Sequence, residues 1–378
     1  MLKRSSKASF FPNAYVFPGG NIDKADSSFR WFSVFHLLTR NVESLGQNFI
    51  VHQHDEMRSP MFKNGKNNVN SGLPNEISLR ISAIRETFEE TGILIAHSTH
   101  ENSMSPLPEN NWYCSVIEWD HAEVEIWRSK VREDANEFLN LCIQNKYVPD
   151  IWALHEWSNW LTPTFMPKKN SKRYDTVFYK ACLKSPPSYT KQDNSEVICL
   201  NWESPSTTLL SYHNQKIILA PPQVYELGRL LNFKQHQVLA RFTSKRRLKG
   251  LSRWLPVRAQ STDGVLMSLL PDTTEKPPNE RSTEKVKRCK FDTLSSDEKS
   301  DNEDQSETVS PVPQSTRTTM QQPWLQAKHK VKFFNQDRTK HKVTILSRVG
   351  KATLKYEYFY NIEYNLICLM RFVANTGE

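Results

Sequence analysis

Apolar positions along the chain recur with two periods. Across residues 76–91, Leu79, Ile81, Ala83, Ile84 and Phe88 recur at helical spacing, and Gly92 stands where a left-handed turn would end the helix. A strand is expected directly after it, near 93–96. Earlier, AYVFPGG (14–20) reads as a short apolar strand running into a Pro-Gly turn. RWFSVFHLL (30–38) again has helical spacing. Residues 121–146 predict one long amphipathic helix, with Ile126, Val131, Ala135, Phe138, Leu139 and Cys142 on its apolar side. Strands are expected around 150–162, 174–183 and 196–202, and a helix after Pro221 and Pro222, where proline suits the first turn. Strands and helices in this alternation predict an α/β (α+β) fold, a mixed sheet between helices.

Composition qualifies that picture. Apolar residues make up 38% of 378, below the roughly 45–50% of an ordinary globular chain, so part of the chain is expected to stay unfolded. The segment meeting that description is 272–322, rich in Ser, Thr, Glu and Lys and nearly free of aromatics; it cannot bury enough apolar area to offset the entropy of ordering. Strand-like and aromatic character returns in 323–378, which reads either as a peripheral hairpin or as a tail. The net charge of +9 favours anionic ligands without identifying one. The six cysteines show neither CxxC pairing nor metal-ligand spacing, which suits a reducing compartment. No run of about 18 apolar residues exists, so no membrane span is expected, and MLKRSSKASF has no signal-peptide core.

The predicted helix carries the candidate chemistry. Glu86, Glu89 and Glu90 fall at i, i+3 and i+4, on one helical face, where three carboxylates repel one another unless a cation lies among them. An acidic face left in solvent is the ordinary alternative. The wider pattern favours the cation. Arg85-Glu86-x-x-Glu89-Glu90-x-Gly92-Ile93 resembles the second half of the Nudix box, a glycine, five residues, a Glu, seven residues, then Arg-Glu-aliphatic-x-Glu-Glu-x-Gly-aliphatic. Thr87 takes the place of the aliphatic residue. Counted back from Arg85, the box Glu should be at 77, which is Ile77, with Glu76 beside it. The front of the box lies far upstream: Phe17-Pro18-Gly19-Gly20 resembles its beginning, with Gly20 as the box glycine. The box is then split by an insertion over 21–75.

A split box of this form, followed in order by DIWALHEWSNWLTP (150–163), KRYDTVFYKACL (172–183), LAPPQVYELGRLLNF (219–233), GLSRWLP (250–256) and DGVLMSLLP (263–271), resembles the peroxisomal acyl-coenzyme A diphosphatase branch of the Nudix family. The resemblance covers residues 2–271 and implies a Nudix hydrolase domain over 1–271, a low-complexity linker over 272–322 and a C-terminal extension over 323–378. It implies Mg²⁺, with Mn²⁺ as an alternative, held by Glu86, Glu89 and Glu90, with Arg85 neutralising and steering the carboxylates. One of the three Glu would serve as general base. The substrate implied is coenzyme A or acyl-coenzyme A, with adenosine 3′,5′-bisphosphate and (acyl-)4′-phosphopantetheine as products. Another nucleoside diphosphate-X substrate, or a module that binds nucleotide or RNA without cleaving it, are the alternatives. Nucleic acid is not the expected partner, and a monomer is expected.

Coenzyme A diphosphatases also carry Arg-Ser-x-x-x-Arg-x-x-x-Gly-x-x-x-Phe-Pro-Gly-Gly. This chain matches at Arg4, Ser5 and Phe17–Gly20 and departs at Ser9 and Asn13. Relatives have another strand's worth of residues before this point, so an alternative start is expected. Substrate phosphates are assigned to Arg4, Gly19, Gly20, Lys172 and Arg173, the last two within a basic cluster that begins at Lys168. A second cluster, Lys245–Lys249, reads as solvated surface. Trp152, Trp157 and Trp160 read as core packing, or alternatively as a groove for the pantetheine arm. His155 reads as a packed histidine, and HQHDE (52–56) as solvated rather than metal-binding. The branch is peroxisomal, but the chain ends Thr376-Gly377-Glu378 instead of a Ser-Lys-Leu-type tripeptide, which leaves cytosol open.

Overall fold

Two apolar clusters organise the molecule in the computed structural model, and one long helix contributes much of the larger one. The structure describes residues 1–8, 11–38, 45, 49, 51, 58–63, 73–99, 112–162, 173–260, 266–269, 329–334, 342–349, 352–359 and 366–375. The expectations for HQHDE, Ser9, Lys168–Lys172 and 272–322 lie outside these residues.

In chain order the N-terminal half contains β1 (Leu2–Arg4), β2 (Ala14–Val16), α1 (Trp31–Phe35), α2 (Asn75–Thr91), β3 (Ala96–Ser98), α3 (His121–Glu133), α4 (Asn136–Gln144), β4 (Tyr147–Pro149), β5 (His155–Leu161) and β6 (Arg173–Cys182). Then follow β7 (Val197–Leu200), α5 (Pro205–His213), β8 (Ile218–Leu219), α6 (Pro221–Leu230), α7 (His236–Arg246) and β9 (Arg253–Trp254). Beyond them, β10 (Val257–Gln260) pairs with β11 (Leu266–Leu269). A three-stranded antiparallel sheet forms from β12 (His329–Phe334), β13 (Lys342–Val349) and β14 (Ala352–Phe359), and β15 (Leu366–Asn375) runs antiparallel beside β6.

Two four-stranded sheets, in the orders β7-β1-β2-β8 and β15-β6-β5-β9, frame the site. Both are mixed: β2 with β8 and β5 with β9 are parallel, the remaining pairs antiparallel. The expected mixed sheet is present, divided into two. The helix expected after Pro221 and Pro222 is present as α6, with both prolines as its first residues rather than before it.

The helix predicted at 121–146 is two helices. Asp134 ends α3 in an extended conformation, and its side chain accepts from the backbone N–H of Asn136 at 2.9 Å, starting α4. The apolar periodicity continues across the break and masks it. The burial phase of α3 is set by Val124, Trp127, Arg128 and Val131, which leaves Ile126, expected on the apolar side, 57% exposed.

Helix α2 matches its predicted span to within one residue, and Gly92 closes it at φ +79°. It is buried on nearly every side, including Ile77, Ile84, Arg85, Thr87, Phe88 and Glu90. Its last carbonyls, which lack intrahelical partners, are met by Arg128: both Nε (3.1 Å) and Nη2 (2.8 Å) donate to the Glu89 carbonyl. A fully buried cation there also complements the negative end of the helix.

Candidate active site

The acidic face of α2 is not solvated. Glu90 is 4% exposed, and the side chains of Glu86 and Glu89 only 15% and 14%. Desolvation by burial pushes Glu89 up to about 7, Glu86 adds to this, and Arg85 offsets part of it. Burial and the Glu86 charge raise Glu90 as well, against the pull of the Gly19 N–H and Arg4. A helix holding its carboxylates in this state has concentrated negative potential where solvent cannot screen it.

Arg85 is the hub of the site. Its Nε and Nη2 grip Asp26 Oδ1 and Oδ2 at 2.8 and 3.0 Å, Nη1 donates to Glu89 Oε1 at 2.5 Å, and Nη2 lies 3.2 Å from Glu86 Oε1. The Asn21 carbonyl and Ser82 Oγ accept the remaining contacts at 3.1 and 3.2 Å. A guanidinium presents a planar fork that a carboxylate can match with two bonds, which lysine could not do.

Asp26 corrects the reading of the box. Ile77, where the box acid was sought, is fully buried in the apolar core, and neighbouring Glu76 pairs with Arg58 and Arg80. Counted forward from Gly20, five residues precede Asp26, the spacing that a box acid requires. The interruption therefore falls between Asp26 and Arg85, not directly after Gly20. A one-turn helix, Lys24–Ser27, capped by Asp23, presents the Asp26 side chain.

The Pro-Gly-Gly turn closes on the same helix. Gly19 has φ +146°, a conformation available to glycine, and its N–H donates to Glu90 Oε2 at 2.9 Å. A Cβ at Gly20 would collide with the Glu86 carboxylate. The turn and the helix thus meet through two glycines and two glutamates. Asn13, where glycine was expected, sits at φ +60°, which asparagine tolerates better than most residues, so this departure keeps the backbone path.

Other predicted residues divide. Arg4 is close enough to Glu90 to act on its charge, and its buried Nε has no hydrogen-bond partner among the described residues. Arg173 instead donates to the Thr162 carbonyl at 3.0 Å, at the base of the β5–β6 hairpin. In the second cluster, Arg246 stacks over Trp157, with Cζ 5.5 Å from the ring centroid, so it is not simply solvated. The three tryptophans do not form one groove. Trp157 and Trp160 are buried and donate their indole N–H groups to Glu226, whereas Trp152 packs on Phe35 in the other cluster. His155 is buried as expected, and desolvation lowers it to about 4.

A network that the sequence reading missed anchors the insertion. Arg58 donates to Glu156 Oε1 and Oε2 at 2.8 and 3.0 Å and pairs with Glu76, while Arg80 Nη2 reaches Glu156 at 3.3 Å. Ser59 Oγ donates to Asp175 Oδ2 at 2.6 Å. Residues from the insertion, α2, β5 and β6 are held together, although nothing local in the sequence signals it.

Among the described residues no three acid, histidine or cysteine side chains converge as a preformed metal cage. Glu89 is engaged by Arg85 and Glu90 by Gly19. The donor set nonetheless fits a hard divalent cation: three carboxylates on one face, two of them with raised pKa values that such a charge would lower. Cys114, Cys142 and Cys182 are buried and Cys199 half-buried. No helix among the described residues is long and apolar enough to cross a membrane.

The family described as NUDT19 Nudix domain matches residues 1–230. The acyl-coenzyme A diphosphatase NUDT19 of Xenopus laevis is 41% identical over 270 residues, covering 71% of this chain and 69% of that protein. The human protein of the same name is 36% identical over 273 residues, covering 72% and 70%. A crystal structure of a NUDIX hydrolase from Alicyclobacillus acidocaldarius aligns over 64% of this chain and 86% of that one, with 16% identity and a TM-score of 0.43.

Proposed function

The chain belongs to the NUDT19 Nudix family, and from that membership we propose that it hydrolyses the diphosphate of coenzyme A and acyl-coenzyme A. The products are adenosine 3′,5′-bisphosphate and (acyl-)4′-phosphopantetheine. The observation that carries this reading is the box reassembled across its insertion, with Asp26 clamping Arg85, Gly19 bound to Glu90 and Gly20 packed against Glu86.

Nudix hydrolases work with divalent metals, and Mg²⁺, with Mn²⁺ as a substitute, is the ion proposed for Glu86, Glu89 and Glu90. When bound it neutralises diphosphate charge and lowers the pKa of a water. The protein's own residues do the rest. Asp26 fixes the Arg85 fork, and Arg85 in turn fixes the Glu89 carboxylate. The bare backbone at Gly19 and Gly20 lets the turn close on Glu86 and Glu90, where a side chain at Gly20 would collide. Arg4, with its Nε uncommitted among the described residues, is the cation proposed for a substrate phosphate. One of the three glutamates accepts the proton of the attacking water. We further propose a monomeric enzyme located in the peroxisome, with the cytosol as the alternative; elution volume and imaging of the tagged full-length protein test those two points.

The test compares kcat/KM for coenzyme A, its 3′-dephospho form and ADP-ribose, under one Mg²⁺ concentration. Coenzyme A should be preferred, since ADP-ribose lacks both the 3′-phosphate and the pantetheine arm. Equal values for all three would sink the coenzyme A assignment and leave a general nucleoside diphosphate-X hydrolase.

A further inference from the structure

A narrow cleft of about 70 Å³ opens beside the box, between the sheet edge at β1 and β7 and helices α2, α5 and α6. Its floor is apolar, with Leu2, Phe17 and Leu227 each no more than 5% exposed. Thr87 and Thr91 form the wall on the α2 side. Leu200 and Trp202 stand at the rim, the latter 38% exposed.

Two features tie this cleft to the reacting centre. Thr87 and Thr91 directly follow Glu86 and Glu90 in the helix, and Phe17 and Pro18 directly precede Gly19. The cleft therefore adjoins the helix and the turn that carry the box. The chemistry of the wall is also specific. Thr87 Oγ1 donates to the Ala83 carbonyl at 2.8 Å and Thr91 Oγ1 to the Thr87 carbonyl at 2.6 Å. With both hydroxyls turned back onto the helix, α2 offers the cleft a short apolar wall. Thr87 is the position where the box pattern has an aliphatic residue, and a β-branched threonine keeps the apolar character with less bulk.

Resting on the functional reading above, we propose that this cleft seats the pantoyl end of the pantetheine arm, whose two geminal methyl groups lie next to the diphosphate. Size decides which part of the arm fits. A water needs roughly 10–15 Å³ of such volume, so the cleft admits a small branched alkyl group and excludes a long acyl chain. The acyl end then lies outside the cleft, so the cleft reads the part common to coenzyme A and all its thioesters. It is a specificity element for the arm and does not take part in bond cleavage.

Narrowing the rim tests this. Leu200 is half-buried at the end of β7 and has no role in the box. Leu200→Trp should raise KM for coenzyme A tenfold or more with kcat little changed. ADP-ribose, which lacks the arm, should keep its kcat/KM or, if it is not cleaved, its inhibition constant. Trp202→Ala, which widens the rim, should change coenzyme A alone and by less. If Leu200→Trp melts early, Leu200→Phe gives the same comparison. Equal effects on both ligands, or none on either, would overturn the cleft assignment while coenzyme A cleavage stood. A wild-type protein that left coenzyme A intact would overturn the functional reading and this inference with it.

Discussion

Asp26 and Arg85 show what single residues do here. The pair is buried, with side chains 1% and 5% exposed, and joined by two hydrogen bonds. Removing one partner of such a pair leaves an uncompensated charge at a cost of about 3–5 kcal/mol. Asp26→Asn should therefore lower the melting temperature markedly and, by freeing Arg85 and with it Glu89, reduce turnover by about 100-fold. Asp26→Glu keeps the charge and should recover part of both; calorimetry and steady-state rates on the two variants check this. Glu89 makes a pH prediction. Its folded value of about 7 lies above the ordinary 4.5, so the folded state holds the proton more tightly than the unfolded chain. The resulting stability is present below the unfolded value and lost as pH rises through 7. In the metal-free protein, wild type should lose stability relative to Glu89→Gln between about pH 4.5 and about pH 7. Mg²⁺ affinity should rise over the same interval, since the ion competes with that proton. A flat difference between the two melting curves would contradict the assignment.

At the scale of elements, the site is a turn closed on a helix. Gly20→Ala places its methyl against the far end of the Glu86 side chain, which can swing away. The expected result is a protein that melts close to wild type and has lost most of its turnover, read from parallel melting and rate measurements. A large loss of stability with intact turnover would mean that Glu86 is structural. Helix α2 and its three glutamates were legible because the i, i+3, i+4 pattern is local. Asp26 was not recovered as the box acid. Counting back from Arg85 led to Ile77, and only the Asp26–Arg85 contact shows that the forward count from Gly20 is the correct one. The break between α3 and α4 was hidden for a different reason: apolar spacing persists through Asp134, while the helix is interrupted by the extended backbone of that one residue.

Across the whole molecule, the insertion is tied to the enzyme that it interrupts. Arg58 and Ser59 bind Glu156 and Asp175 across about a hundred residues of sequence or more. Such pairs carry no periodic signal, so the anchoring of the insertion was not legible in the sequence. The extension beyond 323 could be read either way from sequence; β15 lies along β6 in register from Leu366–Cys182 to Asn375–Arg173. Of the basic cluster assigned to substrate phosphates, Arg173 donates its Nε–H to the Thr162 carbonyl, and Lys168–Lys172 lie outside the described residues. The central claim is that the reassembled box cleaves the coenzyme A diphosphate. Its most direct test is mass analysis of the products formed from coenzyme A with Mg²⁺ by the wild type and by Glu90→Gln. The account predicts adenosine 3′,5′-bisphosphate and 4′-phosphopantetheine in equal amounts from the wild type, and no detectable product from a Glu90→Gln protein that is folded. Full turnover by that variant, or wild-type products cut at another bond, would contradict it.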